Sequence, residues 1–212
     1  MTEDHALALN LDATLSKSEQ KRVQILHSAI YLFCHQGFSN TSMDEVAKHA
    51  GVSKQTVYSH FGSKDDLFVA SIESKCVVHQ LTENLLVDAT QPEVVLTVFA
   101  QQFGAMIVSE EAIRVFTTCV AQSDTHPEVS ELFYNAGPKH ILNLVKGYLA
   151  KVNQHGKYYF DNPHDSAVRL SLMLFGELRM RLELGLSTAD ILPKRQDYLK
   201  ETALMFLRAH QV

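Results

Sequence analysis

Residues 41–64 have the pattern of two short helices joined by a glycine turn, and this pattern limits the possible fold more than any other feature of the chain. Ser42 and Glu45 form a capping box, in which the hydroxyl and the carboxylate each accept a hydrogen bond from a helix-terminal amide. Gly51 ends this helix after about two turns, because glycine takes positive φ without steric cost. Ser53 can cap the second helix. We therefore predict a helical hairpin with a tight turn.

The spacing inside this hairpin is that of a helix-turn-helix. Ala47, Gly51 and Val57 follow the pattern A-x3-G-x5-V. The small side chain of Ala47 lets the second helix cross closely, and Val57 fills the core beneath that helix. In such a motif the second helix lies in the major groove of DNA. The segment therefore favours a DNA-binding function.

Helical periodicity extends over most of the remaining sequence. Apolar residues recur at steps of three and four, which places them on one face of each helix. The first helix ends at Gly37, and the helix that starts after Ser63 is predicted to continue through Leu81 and Leu85 to about residue 88. Later helices are expected after Pro92, around 113–120, after Pro127, from the interruption at Gly137-Pro138 to Gly156, from Asn162-Pro163 to about Gly185, and from 194 to 209. We predict an all-α fold of about nine to ten helices.

The net charge of −5 is unevenly distributed along the chain. Residues 1–16 carry three acids and no Lys or Arg, whereas residues 17–64 carry six bases and three acids. Affinity for DNA depends on the charge of the docking face and not on that of the whole chain. The local excess of bases is therefore compatible with a DNA interface despite the negative total.

Polar side chains without any acid follow the second helix of the hairpin. Lys54 and Gln55 carry donors and acceptors that suit guanine and adenine edges. Thr41, Tyr58 and Lys64, together with His60, suit phosphate oxygens. A solvated polar face on a hairpin that does not bind DNA is the alternative. The predicted DNA contacts are Thr41, Ser42, Ser53, Lys54, Gln55, Thr56, Tyr58, His60 and Lys64.

Residues 20–70 resemble the TetR family of transcription regulators. The residues that carry the resemblance are Gly37-Phe38, Thr41-Ser42-Met43, Val46-Ala47, Ala50-Gly51-Val52-Ser53-Lys54, Thr56-Val57-Tyr58, His60-Phe61 and Ser63-Lys64-Asp65-Asp66-Leu67. Farther on, Pro127-Glu128-Val129, Phe133-Tyr134 and Ala136-Gly137-Pro138 resemble the AefR-like subgroup. Residues 160–163 are less distinctive, so the subgroup does not fix a ligand.

The resemblance implies an all-helical homodimer whose first three helices bind an operator in double-stranded DNA. The fourth helix then links them to a helical ligand domain, and the last two helices form a four-helix dimer interface. We accordingly expect a flexible N-terminal arm over residues 1–16, a helix-turn-helix domain over residues 17–63, and a ligand-binding and dimerisation domain over residues 64–212.

Aromatic and methionine side chains in the C-terminal part are candidates for the walls of a ligand pocket. The same spacing is typical of core helices, so the resemblance and not the pattern motivates a pocket. The expected ligand is a small apolar or amphipathic molecule. The candidate pocket residues are Phe99, Phe103, Met106, Phe116, Cys119 and Phe133.

Two leucine-rich helices near the C-terminus are candidates for the dimer interface. Internal packing is the alternative. Arg179, Arg181, Glu177 and Glu183 are expected at the polar rim of the interface. The predicted dimer contacts are Leu170, Leu174, Leu178, Leu182, Leu199, Ala203 and Phe206.

The patterns of other site classes are missing from the sequence. None of the 11 histidines has metal-ligand spacing, and the three cysteines form no C-x-x-C pair. No G-x-S-x-G motif occurs, and Cys34 and His35 are adjacent on a helix, so their side chains diverge. We therefore expect no enzyme, no metal and no cofactor. The acidic N-terminus and the lack of a long apolar run favour a cytoplasmic chain without a membrane partner.

The sequence thus favours a ligand-responsive repressor that binds a palindromic operator as a dimer. In this hypothesis a ligand in the C-terminal domain moves the fourth helix and changes the spacing of the two recognition helices. Two alternatives stay open: a helical ligand carrier with a vestigial motif, and an activator or dual regulator in place of a repressor.

Overall fold

The computed structural model describes residues 15–212, whose regular structure consists of ten α-helices and two short 3-10 helices, Asn153–His155 and Leu192–Lys194. Their bounds are Lys17–Gln36 (α1), Met43–Ala50 (α2), Lys54–Phe61 (α3), Lys64–Val78 (α4), Pro92–Ile107 (α5), Glu110–Ala121 (α6), Pro127–Ala136 (α7), Pro138–Val152 (α8), Pro163–Glu183 (α9) and Arg195–Arg208 (α10). These residues contain no strand and only one isolated bridge, between Tyr158 and Gln211. The all-α prediction is confirmed. The arm predicted over residues 1–16 lies outside the described residues, except for its last two.

Short polar motifs start the helices as the sequence predicted. The Ser42 hydroxyl accepts a hydrogen bond from the Glu45 amide at 3.2 Å, and the Glu45 carboxylate accepts one from the Ser42 amide at 2.8 Å. Ser63 caps α4 and Asn162 caps α9, each by accepting amide hydrogen bonds from the first turn at its side-chain oxygen. A further capping box, at Ser16, starts α1 and was not predicted. Local sequence thus determines where these helices begin.

Helix α4 is shorter than predicted. It ends at Val78, and Gln80 takes a positive φ of 56°. The Leu81 amide then donates to the Cys76 carbonyl at 2.8 Å, and the Gln80 amide donates to the Val77 carbonyl. This Schellman-type ending turns Leu81 into the core instead of continuing the helix to residue 88.

Two hydrophobic cores organise the chain. The first core contains side chains of all four helices from α1 through α4, together with Val115 and Cys119 of α6 and Val129 of α7. The second joins α5, α8, α9 and α10 around residues such as Leu96 and Leu170. Helices α6 and α7 therefore pack directly on the helices that carry the helix-turn-helix.

Helix α9 is broken at Gly176, whose φ of 60° and ψ of −174° are not helical. A Cβ atom at this position would lie 2.8 Å from the Tyr198 ring, so only glycine fits. The break frees carbonyls at the end of the first segment, and Arg195 donates to those of Leu174 and Phe175. Helix α10 thus caps the first half of α9.

The predicted dimer contacts do not lie on an available surface. The leucines were predicted from their four-residue spacing, but Leu170 and Leu174 pack in the second core with α5, α8 and α10 of the same subunit, and Leu178 is buried as well. Leu182 alone is half-buried. The side chains that α9 and α10 expose instead are those of Leu172, Met180, Tyr198 and Met205. The residues for which the prediction is wrong, because they are buried within the subunit, are Leu170, Leu174, Leu178, Leu199, Ala203 and Phe206.

No single helix between residues 15 and 212 is both long and apolar enough to cross a membrane. Helices α5 and α6 meet the requirement only when taken together, across a bend of 64°.

Candidate DNA-binding surface and ligand cavity

The predicted helix-turn-helix is present in α2 and α3. Gly51 takes the left-handed conformation with φ of 64°, and the Val52 amide donates to the Ala47 carbonyl at 3.0 Å. Ala47 and Val57 are buried between the two helices and α1. This packing turns the opposite face of α3 to solvent, where a recognition helix needs it.

Exposed side chains on α3 form the candidate base-reading surface. Lys54, Gln55 and Tyr58 are exposed. The Lys54 ammonium lies 2.7 Å from a carboxylate oxygen of Asp44 and 5.9 Å from the centre of the Tyr58 ring. The hydrogen bond to Asp44 raises the pKa of Lys54. Lys54 is therefore charged but paired, whereas Gln55 has no hydrogen-bond partner among the described residues.

The hydroxyl groups predicted to contact DNA already have hydrogen-bond partners within the protein. Ser53 caps α3 by accepting a hydrogen bond from the Thr56 amide at 3.1 Å, and the two hydroxyls share a hydrogen bond of 2.8 Å. The Ser42 hydroxyl is bonded to Glu45. His60 is half-buried, with its ring centre 6.2 Å from that of Phe61. These side chains belong to α3 or to the caps of α2 and α3, and their contacts with DNA stay predictions.

Thr41 was predicted to contact a phosphate, and this prediction is wrong. Its side chain is buried, and its hydroxyl donates to the Gly37 carbonyl at 2.7 Å. Lys64, in contrast, is half-buried with its ammonium 3.0 Å from the Phe38 carbonyl, to which it donates, and 4.2 Å from the Phe38 ring centre. An ammonium has three donors, so Lys64 keeps others for a phosphate.

A cavity of about 300 Å³ lies between the two cores, at the lower end of the usual range for small-molecule sites. The predicted residues Phe103, Met106, Phe116 and Phe133 line it. Phe99 and Cys119 do not: Phe99 stacks behind Phe103 with ring centres 5.4 Å apart, and Cys119 packs in the first core. Those two predictions are wrong, because helical spacing does not distinguish the wall of a cavity from the layer behind it. The lining residues that sequence analysis missed include Ile30, Phe33, Phe68, Ile72, Ser171 and Phe175.

Arg179 was predicted at the polar rim of the dimer interface, and this prediction is wrong. The residue lines the cavity instead. Its side chain is buried, with one donor 2.6 Å from a Glu183 carboxylate oxygen and another 2.9 Å from the Ile107 carbonyl. Its guanidinium carbon lies 4.7 Å from the Phe116 ring centre and 4.6 Å from that of Phe175. Arg179 therefore ties α9 to the end of α5 and to α6 through contacts distant in sequence, which no local pattern shows.

Helix α6 joins the cavity to α1 and α4, the helices that pack against the helix-turn-helix. The Lys75 ammonium on α4 lies 3.2 Å from a Glu111 carboxylate oxygen on α6, and both residues line the cavity. Burial raises the pKa of Glu111, but its backbone hydrogen bond and Lys75 outweigh that effect and lower the pKa overall. The Cys34 thiol on α1 contacts the Glu111 carbonyl at 3.8 Å. Burial also raises the pKa of this thiol, to about 11.

Metal-binding clusters are missing from residues 15–212, where no three His, Cys, Asp or Glu side chains could hold an ion.

Comparisons with known proteins agree with this geometry. Residues 25–71 match the family described as bacterial regulatory proteins of the tetR family, and residues 94–212 match the AefR-like transcriptional repressor C-terminal domain. The chain is 46% identical over 55 residues to the HTH-type transcriptional regulator AcrR of Shigella flexneri, an alignment that covers 26% of each protein.

Two solved structures are similar over almost the whole chain. A TetR-family transcriptional regulator from Mesorhizobium loti MAFF303099 has a TM-score of 0.74 and 26% identity, covering 93% of this chain and all of that one. The flavonoid-responsive regulator FrrA has a TM-score of 0.70 and 29% identity, covering 91% of this chain and 98% of that one. The relatives are regulators of transcription and not enzymes. On the match of both its domains, the chain belongs to the TetR family of transcription regulators and carries an AefR-like C-terminal domain.

Proposed function

We propose that the chain is a repressor that binds a palindromic operator as a homodimer and releases it when a small molecule fills the cavity. One observation carries this proposal. The cavity has walls from α1 and α4, which hold the helix-turn-helix, and from α5 to α9. A ligand in it therefore touches both parts of the molecule. The AefR-like match supports repression over activation.

Helix α6 is the element through which a ligand would act. Val115 belongs to the first core and lines the cavity, next to Phe116. A Cβ at Gly37 on the end of α1 would lie 2.9 Å from Thr118, so α1 and α6 are in close contact. A ligand that displaces Phe116 would thus shift α6 against α1 and reorient α3. Coupling of this kind is reciprocal, so DNA would weaken ligand binding by the same factor.

The DNA contacts follow from the exposed face of α3. Gln55 and Lys54 read base edges, while Tyr58, His60 and Lys64 contact phosphates. The hydroxyls of Ser42, Ser53 and Thr56 contact phosphates at the edges of this surface. The domain boundary between residues 63 and 64 stays as proposed, and an operator-binding protein of this kind acts in the cytoplasm.

The exposed stripe of α9 and α10 is the proposed dimer interface. Leu172 and Met180 on α9 and Tyr198 and Met205 on α10 are all exposed. The two helices pack against each other, and exposed large apolar side chains on such a helix pair are typical of dimer interfaces. A two-fold axis there would present two copies of α3, and half-sites of such motifs lie about 34 Å apart or at multiples of that distance.

The effector is expected to be a small molecule with aromatic character. The similarity to a regulator described as flavonoid-responsive supports this expectation. Lining aromatic side chains of the cavity support it independently.

The test is fluorescence anisotropy with the DNA upstream of the gene that encodes this chain, at two salt concentrations, with a scrambled duplex as the control. Selective, salt-sensitive binding that saturates at two subunits or a multiple of two per site supports the proposal. Equal affinity for both duplexes and for every segment of the surrounding DNA contradicts it. A small molecule that binds tightly but leaves operator affinity unchanged is not an effector by this route.

A further inference from the structure

One polar atom in the cavity lacks the partner that its surroundings would normally provide. Ser171 on α9 lines the cavity and is 8% exposed. Its hydroxyl is buried and has no hydrogen-bond partner among the described residues. An unpaired buried hydroxyl is unfavourable, and each such group in a folded protein calls for an explanation.

Other helical hydroxyls in the described chain do not share this property. Ser71 lines the same cavity from α4, and its hydroxyl donates to the Leu67 carbonyl at 2.7 Å. Thr97, Thr117 and Thr202 each donate to the carbonyl four residues earlier. This back-bond is the ordinary solution for a serine or threonine inside a helix. The Ser171 hydroxyl instead keeps its hydrogen-bonding capacity for a partner bound in the cavity that Ser171 lines.

Charges that line the cavity are already balanced. Lys75 pairs with Glu111 at 3.2 Å, and Arg179 pairs with Glu183 at 2.6 Å. The remaining walls are mostly apolar and include several aromatic rings, among them Phe103 and Phe116. An anionic or cationic ligand would bring an unpaired charge into this space, which is strongly unfavourable. A neutral ligand would meet apolar walls and one open hydrogen-bonding group.

We propose that the cavity takes an uncharged, largely aromatic molecule with one hydroxyl or carbonyl oxygen, which hydrogen-bonds to the Ser171 hydroxyl. This inference rests on the proposed function of the cavity as the effector site and names the chemical class of the effector. The hydroxyl can donate or accept, so either oxygen group satisfies it. Phe175, one turn along α9, lies on the same face and would contact the aromatic part.

The experiment uses three probes of the same shape on the full chain: naphthol, naphthalene and the naphthoate anion. Equilibrium dialysis at neutral pH measures their dissociation constants. We expect naphthol to bind about fivefold to tenfold more tightly than naphthalene, as one net hydrogen bond provides. Naphthoate should bind most weakly, because its charge has no partner.

Two matched serine variants assign the effect to one hydroxyl. Ser171→Ala should remove the difference between naphthol and naphthalene, whereas Ser71→Ala should retain it. Ser171→Thr keeps a hydroxyl at the same place and should restore the preference. Ser171→Ala loses no hydrogen bond in the free protein, and thermal unfolding of each variant confirms that it is folded before binding is measured.

The inference is overturned if Ser171→Ala and Ser71→Ala bind naphthol equally, if naphthoate binds more tightly than naphthol, or if neither neutral probe binds. Operator binding is measured separately on the same samples. Selective operator binding together with Ser171-independent naphthol binding refutes the ligand class alone. Ser171-dependent naphthol binding without any selective operator refutes the proposed function alone.

Discussion

The helix-turn-helix and the cavity bring their residues together in different ways. In the first, Ala47, Gly51 and Val57 are close in sequence, and one glycine turn fixes their contacts. The cavity instead takes its walls from seven helices, α1 and α4 to α9. The DNA-binding surface is therefore a property of a short segment, whereas the cavity is a property of how distant segments pack.

The two regions also satisfy their polar groups differently. On the DNA side, serine hydroxyls bond to residues three positions later, as Ser42 does with Glu45. In the cavity, Arg179 reaches the Ile107 carbonyl and Lys75 reaches Glu111, both far away in sequence. A substitution in the first region changes a local cap, but one in the second loosens contacts between several helices at once. This difference can be tested by substitutions in each region.

Leu174→Ala has the largest expected effect. Leu174 is fully buried between α9 and the helices of the second core. The lost burial and the cavity left behind should lower the free energy of unfolding by about 2–5 kcal/mol. Leu186→Ala, at an exposed leucine, should change it by less than about 0.5 kcal/mol. Urea unfolding measures both, and a folded Leu174→Ala monomer of unchanged stability would restore the original dimer assignment.

The second-largest expected effect is on the alkylation rate of the three cysteines, which are distributed over both cores. Burial raises the pKa of Cys34, Cys76 and Cys119 to about 11, above the ordinary value near 9. At about pH 8 the thiolate fraction, and with it the rate of alkylation, should be about a hundredfold below that of the unfolded chain. Mass spectrometry after timed iodoacetamide treatment locates the label. Rapid labelling of Cys76 alone, which lines the cavity, would show that the cavity opens to solvent more than the first core does.

The same shifts predict how stability depends on pH. The folded protein holds the three thiol protons more tightly than the unfolded chain does. The contribution of these thiols to the free energy of unfolding is therefore fully present below about pH 9 and is lost as pH rises towards about 11.

Sequence predicted the regions unequally well, for reasons that follow from this contrast. The caps at Ser42, Ser63 and Asn162 and the turn at Gly51 depend on neighbours a few residues away, so their patterns were sufficient. The end of α4 was not predictable, because positive φ at Gln80 is stabilised by burial of Leu81 in a core that only the fold creates.

The cavity and the dimer surface show what periodicity omits. The spacing of Leu170 and Leu174 identifies an apolar stripe, but it does not tell whether the stripe faces the same subunit or another one. Likewise, Arg179 and Arg181 look alike in sequence, yet the first is buried at the cavity and the second is bonded to Asp190. Which side of a helix meets which neighbour depends on long-range packing.

Gln55→Ala tests the local character of the DNA-binding surface. Gln55 is exposed on α3, and its loss should relax sequence preference at one base pair by about 1–3 kcal/mol. Tyr58→Ala should instead weaken binding to all sequences alike, since a phosphate contact carries no base information. Anisotropy with a set of single-base operator variants separates the two. An unchanged preference profile in Gln55→Ala would show that this side chain does not read a base.

Asp44→Asn has the smallest expected effect. It tests whether the DNA-binding surface depends only on its own short segment, as the comparison with the cavity implies. Asp44 holds Lys54 in an exposed ion pair of 2.7 Å, and such pairs contribute little to stability. Without the carboxylate, Lys54 is free for DNA and a negative charge leaves the docking face, so affinity for all duplexes should rise about twofold to fivefold. The salt dependence should steepen by about one unit, because the docking face gains one net positive charge. Glu201→Gln removes the same charge from α10 and should change neither quantity. If both variants raised affinity equally, net charge and not the local pair would control binding, and the surface would depend on the whole molecule after all.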